Sequence, residues 1–251
     1  MEARSRSRLD ASRLVGGAVL TQLDSDRTGR TLPLLVVPAY FHPALHPEQW
    51  AMLVAHPERV RLVVLNRANG PGISPDPTHL APLASLREAG IAVAGYVDTD
   101  YGRRATRDVL ADLFSYLEWY EVDGVCFDRV SVNEDHLRHY AELARSARAI
   151  GAGSVMFNHG AHPLEPYAEH ADLLGTFEGP WSAYRELGVP RWTRKHPPEN
   201  FYHVVHSAPR ARFEDAYLLA QVRRAGCAYV TDRGGANPYD SLPADWLEGE
   251  L

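Results

Sequence analysis

Residues 91–128, IAVAGYVDTDYGRRATRDVLADLFSYLEWYEVDGVCFD, decide the fold. They read as strand, helix, strand. In Ile91–Asp98 a period of two puts Ala92, Ala94, Tyr96 and Asp98 on one face and Ile91 and Val93 on the other. Thr106–Tyr120 carries Val109, Leu110, Leu113, Leu117 and Tyr120 at the 3.6-residue spacing of a helix with one buried stripe. Gly124–Asp128 is a second short apolar run that ends on a carboxylate. Two strands joined by a helix make a parallel unit.

The same alternation runs outward in both directions. Further strands are predicted at Leu34–Tyr40, Arg61–Asn66, Gly153–Asn158, Leu173–Glu178, Phe201–His206 and Ala228–Asp232. Helices are predicted at Pro47–Ala55, Pro77–Ala89, Glu134–Ile150 and Arg212–Ala225. The first two open on a proline suited to a first turn, and Gly90, Gly151 and Gly226 stand where helices stop. Eight consecutive strand–helix units in 251 residues predict a single (β/α)8 TIM barrel. A doubly wound open sheet is the alternative, but no G-x-G-x-x-G follows the first strand.

Composition narrows the function class. There are 26 Lys+Arg against 32 Asp+Glu, a net charge of −6, which disfavours a nucleic-acid partner. Apolar residues are 45% and charged residues 23%, the mix of a folded soluble protein. No apolar stretch approaches the roughly 20 residues of a membrane span, so no membrane partner is expected. Cys126 and Cys227 are too few for a disulfide framework or a cysteine zinc site, and read as buried thiols of a reducing compartment. Residues 1–30 are Arg- and Ser-rich and read as a poorly ordered or accessory arm. Residues 31–251 read as the barrel domain. The arm's one apolar run, Leu14–Leu20, includes Gly16 and Gly17 and has no clear cleavage site after it. A cytoplasmic location is therefore expected, with secretion as the alternative.

Strand parity locates a candidate site. The last polar residues of the eight strands are Tyr40, Asn66, Asp98, Asp128, Asn158, Glu178, His206 and Asp232. Asp128 shares a face with Cys126 and Gly124, and Glu178 with Thr176 and Leu174. The opposite faces carry Val125 and Phe127, Leu173 and Phe177, which suit packing against helices. The polar ends are thus expected to point into the barrel mouth, where barrel enzymes keep their sites.

Several segments, taken in order, resemble the spherulin-4 family, also called spherulation-specific family 4. They are Val37-Pro38-Ala39-Tyr40, Asn66 with Asn69-Gly70-Pro71-Gly72, and the run Gly95 to Arg104. Gly124-Val125-Cys126-Phe127-Asp128, Phe177-Glu178, Val205-His206-Ser207, Val230-Thr231-Asp232 and Asn237 to Pro243 complete the set. The resemblance spans most of residues 34–246. It implies a (β/α)8 fold and kinship with fungal glycoside hydrolases that cleave N-acetylgalactosamine-containing polysaccharides. In those enzymes an Asp-Glu pair ends strand four and a Glu ends strand six. By position the Asp is Asp128 and the strand-six Glu is Glu178. The second acid of the pair is replaced here by Arg129.

Glycoside hydrolysis needs one protonated and one ionised carboxyl flanking the bond. Asp128 and Glu178 can supply such a pair, and a guanidinium at Arg129 would favour the ionised form of Asp128. Asp128 is then expected to stay charged while Glu178 donates the proton. The competing reading of Asp128 is a structural salt bridge to Arg129, which requires the chain to turn directly after Asp128. Substrate-binding roles are expected for Tyr40, His42, Asn66, Asp98, Asp100, Tyr101, Arg129, Asn158, His159, Trp181, His206 and Asp232. Aromatic rings among them could stack on a sugar, and amides and imidazoles could bond hydroxyls.

No metal site and no cofactor are expected. His136 and His139 lie on a predicted helix and are expected to face solvent. His203 and His206 fall on opposite strand faces, and His159 and His162 lie in a loop. None has the paired geometry of a helical H-E-x-x-H. The leading function is therefore a glycoside-hydrolase-like enzyme acting on an amino-sugar-containing glycan or small glycosylated metabolite. A lyase, isomerase or transferase in which Asp128 and His206 move protons is the second reading. A catalytically silent carbohydrate-binding barrel is the third. The expected partner is a small-molecule or oligosaccharide substrate, and the sequence leaves oligomeric state open.

Overall fold

Eight short strands form one closed parallel barrel in chain order, β1 to β8. The structure is a computed structural model and describes residues 32–243 together with Trp246. The predicted arm at residues 1–30 lies outside the described residues. The strands are β1 (Leu34–Ala39), β2 (Val60–Leu65), β3 (Ala92–Asp98), β4 (Gly124–Asp128), β5 (Ser154–Asn158), β6 (Leu173–Pro180), β7 (Phe201–His206) and β8 (Cys227–Val230). Their runs of Val, Leu, Ala and Phe are apolar on both faces, as a sheet covered by helices outside and packed within requires. β1 pairs with β8 through Leu34 and Leu35, and that pairing closes the barrel.

Among the described residues six α-helices of four or more residues lie outside it: α1 (Pro47–Ala55), α2 (Leu80–Glu88), α3 (Thr106–Tyr120), α4 (Leu137–Ile150), α5 (Trp181–Tyr184) and α6 (Phe213–Val222). Two predicted helices begin later than their sequence signals. Pro77–His79 and Glu134–His136 are 3-10 turns that lead into α2 and α4. The connection after β5 holds only a 3-10 segment, Glu165–Glu169, and α5 is a single turn. The outer layer is held by large buried rings. Tyr140 of α4 packs against Phe157 of β5 at 5.6 Å between centroids, and Phe157 against Phe127 of β4 at 6.2 Å. Cys126 and Cys227 are both free and buried. Among the described residues no helix is long and apolar enough to cross a membrane.

Candidate active site

The C-terminal ends of the strands surround a pocket whose polar floor is two carboxylates. Asp128 ends β4 and Glu178 lies near the end of β6, with Asn158 of β5 between them. The Asn158 side-chain amide donates to both, to Asp128 Oδ1 at 2.8 Å and to Glu178 Oε2 at 2.5 Å. Those two lengths laid end to end leave the bonded oxygens at most about 5.3 Å apart, short of the roughly 6.5–9.5 Å separation of an inverting pair. Two tyrosines hold the other oxygens. Tyr96 of β3 donates to Asp128 Oδ2 at 2.8 Å, and Tyr239, from the segment after β8, donates to Glu178 Oε1 at 2.6 Å. Tyr40 stands between these two rings, edge-on to Tyr96 at 5.6 Å and to Tyr239 at 5.4 Å. The three rings wall one side of the pocket, while Val36, Val64 and Tyr202 lie among its apolar lining.

Glu178 faces inward because β6 is irregular. Pairing with β7 shifts register between Gly175 and Phe177. Gly175 faces the barrel interior: a Cβ there would lie 2.3 Å from Asn158 Oδ1 and 2.6 Å from the Tyr202 ring. Thr176 and Phe177 then both turn to the helix side. Thr176 Oγ1 meets His203 Nε2 at 3.1 Å, His203 Nδ1 meets the Tyr184 hydroxyl of α5 at 2.8 Å, and Phe177 packs on Tyr184 at 4.8 Å. Two consecutive outward residues form a bulge. In a regular strand, Gly175 facing in would send Glu178 out. Parity alone therefore reached the right face for Glu178 by a wrong path. Thr176 lies on the other face from it, and so does Leu174, which pairs with the outward Phe201.

Burial raises the pKa of both acids. For Asp128, desolvation outweighs the hydrogen bonds from Tyr96, the Arg129 amide and Asn158. For Glu178, desolvation is followed by the charge of Asp128, against hydrogen bonds from Tyr239 and Asn158. The negative form of Asp128 thus accepts three bonds and that of Glu178 two. When the pair carries one proton, this favours it on Glu178.

The Arg129 guanidinium, unlike its backbone amide, plays no part in that balance, contrary to the sequence expectation. The chain does turn after Asp128, with Arg129 at φ 51°, but the guanidinium swings to Asp98 and Asp100. Its Nε donates to Asp98 Oδ1 at 2.8 Å, its Nη2 bonds Asp98 Oδ2, and its Nη1 lies 3.2 Å from Asp100 Oδ1. Against the burial that would raise it, this contact holds the Asp98 carboxyl below its ordinary range. Tyr101 lies beneath Arg129 and Arg103, at 5.6 and 5.7 Å from ring centre to guanidinium carbon. Asp98, Asp100, Tyr101 and Arg129 are thus one ion-paired cluster beside the pocket.

Of the other expected binding residues, Tyr40 and Asn158 line the pocket. His159 is buried, bonds the Ser131 carbonyl through Nδ1 at 3.1 Å, and with Tyr101 lines a neighbouring groove. Five lie elsewhere. Asn66 caps its own loop, accepting from Gly70 N at 3.2 Å. His42 turns to Asp76 at 2.9 Å, and Asp232 to Arg210 at 3.2 Å. His206 meets Ser207 at 3.1 Å, and Trp181 lines a depression with Arg185 and Leu219 on the helix layer. Asp232 is off the site because it lies beyond β8 with the parity of the outer face. His136 and His139 are half-buried rather than solvent-facing, His139 lying edge-on to Tyr140 at 5.0 Å. Tyr96, Tyr202 and Tyr239 were not expected in the site. Tyr96 shares the face of Asp98, which parity could have flagged.

The profile of the family described as spherulation-specific family 4 matches residues 34–249, which includes all of these site residues. The chain belongs to spherulation-specific family 4. Spherulin-4 of Physarum polycephalum is 25% identical over 242 residues, covering 91% of this chain and 72% of that protein. The crystal structure of Aspergillus clavatus Sph3 in complex with GalNAc superposes with a TM-score of 0.74 at 25% identity, covering 86% of this chain and 95% of that one. The family resemblance read from the motifs and the barrel read from the strand count thus converge.

Proposed function

We propose that the protein hydrolyses a glycosidic bond in an amino-sugar-containing glycan or small glycosylated metabolite, using Asp128 and Glu178. The observation that carries this reading is the single Asn158 amide shared by two half-buried carboxylates at a barrel mouth. A pair this close suits retention. Asp128 attacks the anomeric carbon, and Glu178 protonates the leaving oxygen. Glu178, now a carboxylate, then takes a proton from water, which releases the sugar from Asp128. The GalNAc complex of Sph3 supports an N-acetylgalactosamine unit as the sugar held. Tyr40 offers a ring, and Asn158 an amide, to that sugar.

Arg129 favours one second reading, a binding barrel without catalysis, because it replaces the acid that follows Asp128 in the family pattern. The proton-moving alternative loses ground because His206 lies outside the pocket that holds Asp128. One experiment separates these readings. Proton NMR follows the protein with a defined N-acetylgalactosamine oligomer. Hydrolysis with the first product in the configuration of the substrate is expected. Inverted product, elimination product, or binding with no cleavage contradicts the proposal.

A further inference from the structure

Two loops on the pocket face of the barrel bring together three metal-type ligands that the reaction does not use. His42 lies between β1 and α1, and Asp76 and His79 lie between β2 and α2. Asp76 begins the 3-10 turn Pro77–His79. Its Oδ1 accepts from Thr78 N at 3.0 Å and from Thr78 Oγ1 at 2.6 Å. That grip orients the other oxygen. Asp76 Oδ2 lies 2.9 Å from His42 Nε2 and 3.5 Å from His79 Nδ1, and all three atoms fall within 4.8 Å of one another. Ligands at zinc bond lengths stand about 3.3 Å apart on the edges of a tetrahedron. His79 is 2% exposed, and its Nδ1 has no hydrogen-bond partner. A buried nitrogen held 3.5 Å from a carboxylate oxygen, short of a full hydrogen bond, calls for an explanation.

We infer that His42, Asp76 and His79 bind one first-row divalent cation, Zn2+ foremost, at a site separate from the catalytic pair. Two imidazoles and one carboxylate match the donors such ions take, and three protein ligands leave a fourth position for water. Thr78 supplies the outer hydrogen bonds that orient a ligating carboxylate. His42 is about one-third exposed and opens the site to solvent. Without the ion, its Nδ1 accepts from Ala44 N at 3.2 Å, so Nε2 carries the proton toward Asp76. When the ion binds, that proton moves to Nδ1, and the exposed Ala44 N–H turns to water. Arg67 is the competitor, its Nε 3.7 Å from the same Asp76 oxygen. The bound ion would tie the β1–α1 loop to the β2–α2 loop.

Calorimetric titration of the chelator-stripped, untagged full chain with ZnCl2 tests the site. One equivalent is expected, with affinity falling at least about tenfold in His42→Gln and His79→Gln. Arg67→Gln is expected to bind more tightly than wild type. Cobalt substitution should give the intense visible absorption of a four-coordinate ion. His42→Gln changes a solvent-open side chain and guards against a folding artefact, checked by circular dichroism. Absence of saturable binding by the wild type overturns the inference. So does one-equivalent binding that persists unchanged in both histidine variants.

Discussion

Asp128 and Glu178 are distinguished by their hydrogen bonds more than by their chemistry. The Tyr239 hydroxyl stabilises the anion of Glu178, and the Tyr96 hydroxyl that of Asp128. Removing either raises the pKa of its acid. If Glu178 must be protonated and Asp128 ionised, Tyr239→Phe moves the alkaline limb of the pH–rate profile upward. Tyr96→Phe moves the acid limb upward instead. Rate profiles of the two variants check this, and a shift of the same limb in both would contradict the assignment. At this scale the sequence was readable at some strand ends and not at others, since Asn66, His206 and Asp232 lie outside the pocket. Tyr40, Asp128, Asn158 and Glu178 stand where alternation put them. Tyr239 was not readable, because it reaches Glu178 from 61 residues away through an irregular segment with no period to follow. Arg129 was misread because its neighbour in sequence is Asp128, while the partners of its guanidinium are Asp98, at the end of β3, and Asp100, just after it.

Among the elements, β6 matters most. Its bulge lets Glu178 face the pocket while Thr176 and Phe177 anchor the strand to α5 through His203 and Tyr184. The close approach at Gly175 seats Asn158 against it, so a methyl group there pushes the shared amide away from both acids. Gly175→Ala is therefore expected to lower kcat on the order of 10²-fold, the cost of an ångström-scale misplacement. Overpacking should also cost roughly 1–3 kcal/mol of stability. Steady-state kinetics and thermal unfolding measure the two effects, and unchanged kcat would show that Asn158 does not set the pair. Strand and helix identities were legible from their periods of two and 3.6. The bulge was not, since an extra residue in a strand leaves no mark on an apolar run. The helix starts at α2 and α4 were misplaced for a related reason: a 3-10 turn carries the same proline or acidic opening as the first turn of an α-helix.

For the whole molecule, the pair is a stability cost that grows with pH. Both carboxyls have pKa values raised on folding by burial. The folded state therefore holds protons more tightly than the unfolded one. The stability this contributes is present below the ordinary carboxylate pKa and is lost as pH rises through the raised values. Glu178→Gln removes one of the two charges and keeps the shape. Its Tm should exceed that of wild type near neutral pH, by about 2–4 °C per kcal/mol, and converge with it near about pH 4. Thermal unfolding across that range reads the difference. A Tm that falls at neutral pH would mean that the carboxylate stabilises the barrel. The closed barrel itself was legible as eight repeated units, because each strand is too apolar to stand without helices outside it and neighbours on both edges.

The most direct test of the central claim is release of reducing ends from an N-acetylgalactosamine-containing polysaccharide. Wild type, Asp128→Asn and Glu178→Gln are compared as folded proteins at equal concentration. Release by wild type and its loss in both variants is the expected result. Release that continues undiminished in either folded variant would contradict the assignment of Asp128 and Glu178 as the reacting pair.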